Sequence, residues 1–195
     1  NEFDSLPNHI KLLQRIKYGK HEFPIEQYGY SSYDFHFNGE KPLIKACKYG
    51  RLFMVEYLVN IQDANVNING SEPMTVAIQN DQYNVVEFLL NNSVELRFSY
   101  LATAIRLGYL KITELLLEEI NISSDSDSVF DSLFKTPQFI IDEMCELLMK
   151  HGLSNYFPTS GYSSILAIKL AGFNYSELSG LIVSSMKIFP KDFTS

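Results

Sequence analysis

The segment PLIKACKYGRLFMVEYLV, from Pro42 to Val59, recurs 31 residues later as PMTVAIQNDQYNVVEFLL, from Pro73 to Leu90. Pro42 falls on Pro73, Ala46 on Ala77, Val55 on Val86, Glu56 on Glu87 and Leu58 on Leu89. One such unit is too short to bury its own apolar side, so this period restricts the chain to an array of supersecondary units that share a core. In each copy a proline opens a short segment with helical apolar spacing, a place that suits its fixed φ and missing N–H. A break at Tyr49-Gly50 or Asn80-Asp81 ends that segment, and a second helical stretch follows, with Phe53, Met54, Tyr57 and Leu58 at helical spacing. The unit reads as helix, turn, helix.

The same grammar extends in both directions. YLATAIRLGYLKITELLLEE places Ala104 on Ala77 and Glu114 on Glu87 with a shorter connector. CELLMKHG is a weaker fourth copy, and LAIKLAGFNYSELSGLIVSS a fifth, with Ala167-Ile168-Lys169-Leu170 on Ala104-Ile105-Arg106-Leu107. Upstream, LLQRIKYG lies on LIKACKYG and shares Leu12, Lys17, Tyr18 and Gly19, before Pro24 interrupts the following helix.

KPLIKACKYGRLFMVEYLV followed by DANVN resembles the ankyrin repeat, with its Thr-Pro-Leu-His-x-Ala-Ala opening, Gly turn, Val-Val-x-Leu-Leu-Leu helix and Gly-Ala-Asp-Val-Asn finger. Lys41 stands where the family has Thr and Ile44 where it has His, and EPMTVAIQN lacks both. The connector VNING is shorter than the family's, which predicts a clipped finger tightened by Gly70. The tetratricopeptide alternative needs a Trp, and the chain has none. The resemblance implies an all-α ankyrin-repeat solenoid of stacked helix-turn-helix units with degenerate capping repeats. Its expected divisions are a degenerate N-terminal repeat or cap over 1–39, three clear repeats over 40–119, an acidic Ser-rich insertion over 120–131 and two divergent C-terminal repeats or cap over 132–195.

Packing of such units explains the recurrent apolar positions. Leu43, Ala46, Cys47, Leu58, Ala77, Ile78, Phe88, Leu89, Ala104, Ile105, Leu115 and Leu116 are the expected core, with Cys47 a packed thiol in a small-residue slot. Glu56, Glu87, Glu114 and Glu146 recur on second helices, about 10 Å apart, the spacing of packed helices. They read as a solvated outer face rather than a carboxylate ladder. In the segment YGYSSYDFHFNG, Tyr33, Phe35 and Phe37 alternate with Asp34 and His36 behind Tyr28 and Tyr30. This is a half-buried strand or finger pattern. It either closes the broken first repeat or anchors a partner. In NISSDSDSVFDS, Ser124 and Ser128 each precede an Asp by three residues, either an acidic modification context or, for Ser128 with Asp131, a helix cap.

Chemistry is sparsely represented. Phosphate-cradling glycine loops, His-Glu-x-x-His and Gly-x-Ser-x-Gly are lacking, and His9, His21, His36 and His151 share no helical face. Cys47 and Cys145 have no zinc-ligand spacing around them. The expectation is a non-enzyme with no metal and no cofactor. Sixteen basic against 23 acidic side chains, a net charge of −7, oppose a nucleic-acid footprint. No apolar run approaches a membrane span and no leader pattern opens the chain, which points to an intracellular protein, cytoplasmic or nuclear. The start at Asn1 suggests a fragment of something longer.

The family's function lies on a concave side built from first helices and finger tips. Carried over residue by residue, this gives partner-binding positions at Lys45, Lys48, Tyr49, Asn67, Asn69, Glu72, Gln79, Asn80, Thr103, Arg106 and Leu107. Lys45, Lys48, Arg106 and Lys169 form a basic strip suited to an acidic segment of a protein partner. The resemblance implies a non-catalytic adaptor or scaffold. Its alternative is a regulatory or substrate-recruiting domain of a larger enzyme or channel.

Overall fold

The computed structural model describes residues 5–19, 34–122 and 125–153. Among these the chain is all helical, without a strand, and forms two compact units, Asn1–Leu96 and Arg97–Ser195. The first contains α1 (Asn8–Tyr18), α2 (Phe37–Lys48), α3 (Leu52–Asn60), α4 (Ile68–Gln79) and α5 (Tyr83–Leu90). The second contains α6 (Phe98–Leu107), α7 (Leu110–Glu119), α8 (Ser126–Lys135), a 3-10 turn at Gln138–Ile140 and α9 (Ile141–Lys150).

The first helices build their cores from one recurring trio at i, i+3 and i+4, which a 3.6-residue period brings to one face. Leu43, Ala46 and Cys47 on α2, Met74, Ala77 and Ile78 on α4, and Leu101, Ala104 and Ile105 on α6 are buried without residual exposure. α8 continues the series with Val129, Ser132 and Leu133. Ser132 fills the alanine slot because its hydroxyl donates to Ser128 O at 2.7 Å, one turn back in its own helix. Second helices repeat another trio: Met54, Val55 and Leu58; Val85, Val86 and Leu89; Ile112, Thr113 and Leu116; Met144, Cys145 and Leu148, all buried. Within the first unit α2 packs on α4 and α3 on α5; within the second, α6 packs on α8 and α7 on α9. Two helix layers result in each unit.

This arrangement corrects part of the expected core. Phe88 and Leu115 are only half-buried, since they stand beside the trios Val85, Val86, Leu89 and Ile112, Thr113, Leu116 rather than within them. The stretch expected as an insertion becomes helix at Ser126, and α8 is a first helix packed on α6. Its cap is Asp125, whose Oδ1 accepts the Ser128 N–H at 3.2 Å while Oδ2 accepts the Ser128 hydroxyl at 2.6 Å. The expected cap pair of Ser128 with Asp131 therefore does not form, and Asp131 instead pairs with Lys135 at 2.7 Å. Ser124, the fifth copy with Lys169, and Tyr28, Tyr30 and Tyr33 lie outside the described residues.

Helix-to-turn transitions repeat as faithfully as the core. At the ends of α2, α4 and α6, the N–H groups of Arg51, Gln82 and Tyr109 reach back to Ala46 O, Ala77 O and Ala104 O. Those of Gly50, Asp81 and Gly108 reach Cys47 O, Ile78 O and Ile105 O. Both bonds together define a Schellman ending, which needs one left-handed residue. Gly50 (φ 63°), Asp81 (φ 54°) and Gly108 (φ 78°) supply it. The upstream copy departs from this pattern: Gly19, aligned with Gly50, is extended at φ −63°.

Thr113 occupies the slot that Val55 and Val86 fill in the first unit, and its fully buried Oγ1 has no hydrogen-bond partner. A hydroxyl buried without a partner costs about 1–3 kcal/mol. Thr113→Val is expected to stabilise the second unit by about 1 kcal/mol, read as a higher urea midpoint at unchanged m-value. A lower midpoint would show that the hydroxyl is bonded after all.

Candidate functional site

Finger turns come first, because they carry several of the expected contact residues. Asp34 Oδ1 accepts the His36 N–H and Asn65 Oδ1 accepts the Asn67 N–H, each at 2.9 Å. These Asx turns lead into a left-handed turn at Asn38-Gly39-Glu40 (φ 51°, 65°, 58°), repeated at Asn69-Gly70-Ser71 (φ 51°, 71°, 61°). Gly70 sits at its centre, in the connector expected to be clipped. Phe35 and Val66 are buried beneath the two fingers, with Phe35 edge-on to Tyr57 at a centroid distance of 5.7 Å. The DFHF segment is thus the finger of the α2 repeat.

Side chains, rather than a strand ladder, tie these fingers down. Asn67 Oδ1 accepts the Ser71 hydroxyl at 2.9 Å and the Glu95 N–H at 2.8 Å, while its Nδ2 donates to Ser93 O at 3.1 Å. Asn67 is therefore committed to holding the fold. Asn80 is similarly engaged, donating to Val76 O at 2.8 Å, and Asn69 bonds Glu72 at 2.9 Å. One finger earlier, His36 Nδ1 donates to Glu40 Oε1 at 2.8 Å, and Glu40, 8% exposed, also accepts the Asn65 N–H at 3.4 Å.

The hydrogen bond to Glu40 raises the His36 pKa above its ordinary 6.5, burial opposes this, and the charges of Glu40 and Asp34 add to the rise. A raised folded-state value means that the contribution is complete below the unfolded value near 6.5 and disappears as pH climbs through the folded value. Unfolding of the first unit is thus expected to become easier as pH rises above the ordinary 6.5, and His36→Gln to flatten that slope. An unchanged slope in the variant would remove His36 from the account.

On the first-helix side of this unit the cationic groups collect. Lys41, Lys45 and Lys48 follow one another at i, i+4 and i+7 along one face of α2. Lys17, in the last turn of α1, is 31 residues before Lys48 in the repeat, and α1 packs on α2. Its Nζ lies 4.6 Å from the centroid of the Tyr18 ring, which is 69% exposed. The hydrogen bond and charge of Tyr18, with Tyr49 beyond it, raise the Lys17 pKa. Lys45 is half-buried, and burial, then Lys17 and Lys41, and more weakly Lys48, push its pKa down. None of these four lysines has a carboxylate partner among the described residues.

The structure thus places the expected Lys45, Lys48 and Tyr49 together and adds Lys17, Tyr18 and Lys41, which the sequence reading left out. The repeated Lys-Tyr-Gly at 17–19 and 48–50 was the available signal. Glu72 is half-buried and Gln79 exposed on the following repeat. In the second unit Arg106 is exposed, and Thr103 and Leu107 are half-buried.

Among the described residues, nucleophiles and metal ligands do not assemble around these positions. Cys47 and Cys145 are buried; burial drives the Cys47 thiol well above its ordinary range, and burial followed by the Asp142 charge drives Cys145 to about 12. Among the described residues no group of three His, Cys, Asp or Glu side chains is placed to hold a metal ion. Glu87 bonds the Tyr83 hydroxyl at 3.2 Å and Glu114 pairs with Lys150 at 3.6 Å, so these second-helix carboxylates have separate partners. No helix among the described residues is long and apolar enough to cross a membrane.

Paired helices that repeat their buried trios, left-handed turns and finger bonds define a stacked-repeat protein. Residues 7–98, a little under half of the chain, match the family model of ankyrin repeats in three copies. No curated protein and no solved structure matches the chain. Ankyrin repeats are in general protein–protein interaction modules.

Proposed function

We propose that the chain is a non-catalytic adaptor that takes a partner peptide or domain surface on its first helices and finger tips. The contact positions are Lys45, Lys48, Tyr49, Asn69, Glu72 and Gln79 in the first unit, with Thr103, Arg106 and Leu107 in the second, while Asn67 and Asn80, also expected as contacts, hold the finger and the turn that carry them. The observation that carries this reading is the contrast between the two sides of a first helix. Every buried trio position is explained by packing, whereas the opposite side of α2 presents lysines that have no carboxylate partner among the described residues, on a chain of net charge −7. Contacts among the described residues supply no reason for such an arrangement, and an acidic partner segment supplies one.

The test is affinity capture with the wild-type chain beside a Lys45→Glu, Lys48→Glu, Arg106→Glu variant whose helical circular dichroism and melting match the wild type. The expected result is a protein retained by the wild type and lost by the variant. Equal retention would move the contact surface elsewhere.

A further inference from the structure

We propose that the last turn of α1 and the lysine face of α2 form a discrete anion-recognition patch, in which Lys17, Lys41, Lys45 and Lys48 grip the carboxylates of a short acidic peptide and Tyr18 seats an apolar residue beside them. This rests on the adaptor reading and narrows it to a chemical class of partner and a place.

Two features argue for a built patch rather than a solubilising surface. Three cations repeat along a single face of α2, and a fourth comes from the last turn of the helix packed against it. Lysines that merely solvate a face usually stand alone or beside carboxylates, as Lys135 does with Asp131 and Lys150 with Glu114. Among the described residues the α2 lysines have no such neighbour, and Lys45 is half-buried among them, so no described carboxylate relieves their mutual repulsion. An anionic ligand removes that repulsion when it binds, which makes the site selective for negative charge.

The aromatic neighbours favour a peptide over a phosphate polymer. Tyr18 holds its ring 69% exposed beside Lys17, and Tyr49 lies close enough to act on the same ammonium group. An apolar side chain between acidic residues finds contact area there. A long polyanion would meet the field of a chain carrying 23 acidic side chains.

The probe is a short labelled oligoglutamate peptide with a central leucine, titrated into the wild-type chain by fluorescence anisotropy beside its glutamine counterpart. The glutamate peptide is expected to bind, increasingly weakly with added salt, and the glutamine peptide not to bind. Lys17→Gln with Lys41→Gln, neither of which is needed for the capture test, is expected to weaken binding about tenfold. Lys135→Gln with Lys150→Gln is expected to leave it unchanged. Equal loss in the two double variants would show diffuse attraction and overturn the patch. Tighter binding of a single-stranded oligonucleotide or of anionic vesicles than of the peptide would overturn the choice of ligand. Should the peptide fail to bind while capture still depends on Lys45, Lys48 and Arg106, the anion patch falls and the adaptor reading survives.

Discussion

Gly108→Ala is expected to cost the second unit about 3 kcal/mol, combining left-handed strain of about 1–2 kcal/mol with overpacking of about 1–3 kcal/mol. Gly108 is the left-handed residue of the α6 ending, at φ 78°, and both bonds of that ending depend on it. A Cβ there would stand 2.7 Å from Ile140 Cγ2 and 3.4 Å from Pro137 Cδ, in the segment that joins α8 to α9. The ring of Pro137 cannot turn aside, and Ile140 is half-buried. Gly50 provides the comparison. Its added Cβ would meet the far end of the Gln82 side chain, which hydrogen-bonds to Asn80 O but can swing away. Gly50→Ala is therefore expected to cost about 1–2 kcal/mol, nearly all of it backbone. Asp81 carries a side chain at the same place in the α4 repeat, at φ 54° and exposed, so the conformation itself accepts one when space is free. Urea titration of the two glycine variants reads the difference. Equal losses would mean that the approach of Ile140 and Pro137 contributes nothing.

Those glycine positions also mark what was legible beforehand. The period, the helix pair and the turn at Gly50, Asp81 and Gly108 were open to reading because each rests on local chemistry repeated at a constant spacing. Phe88 and Leu115 were misplaced for a different reason: side-chain hydrophobicity alone favours them for the core, whereas the 3.6-residue period selects the trios ending at Leu89 and Leu116. The start of α8 was set late, at Ser128 instead of Asp125, because the helix lacks the opening proline, and Ser132, polar on paper, satisfies its hydroxyl inside the helix. Of the proposed contact residues, Lys45, Lys48 and Tyr49 could be placed on α2 from register alone. The commitment of Asn67 to Ser71, Ser93 and Glu95 was not, since nothing local in sequence reveals a bond spanning 26 or 28 residues.

The same limit applies to Arg51, which in sequence merely precedes α3. Its Nε donates to Ile16 O at 3.0 Å and its Nη2 to Lys17 O at 2.9 Å, across 35 and 34 residues. Those carbonyls belong to the last turn of α1, where helical partners run out and a positive charge also meets the negative end of the helix dipole. α1 needs this help because its ending differs from the others, with Gly19 extended rather than left-handed. Hydrogen bonds involving a charged group contribute about 1.5–3 kcal/mol net, and these two share one half-buried side chain, so Arg51→Ala is expected to loosen α1 by about 2 kcal/mol. Arg51→Lys should recover only part of that, because an ammonium lacks the planar fork that reaches two carbonyls at once. Amide hydrogen exchange separates this from general destabilisation: protection should fall in α1 about thirtyfold while α4 and α5 keep most of theirs. Because α1 delivers Lys17 and Tyr18 to the basic patch, the acidic peptide should weaken in parallel, although Arg51 is not proposed to touch it. Unchanged α1 protection would mean that the contact with α2 suffices, and Arg51 would then have no part in placing Lys17.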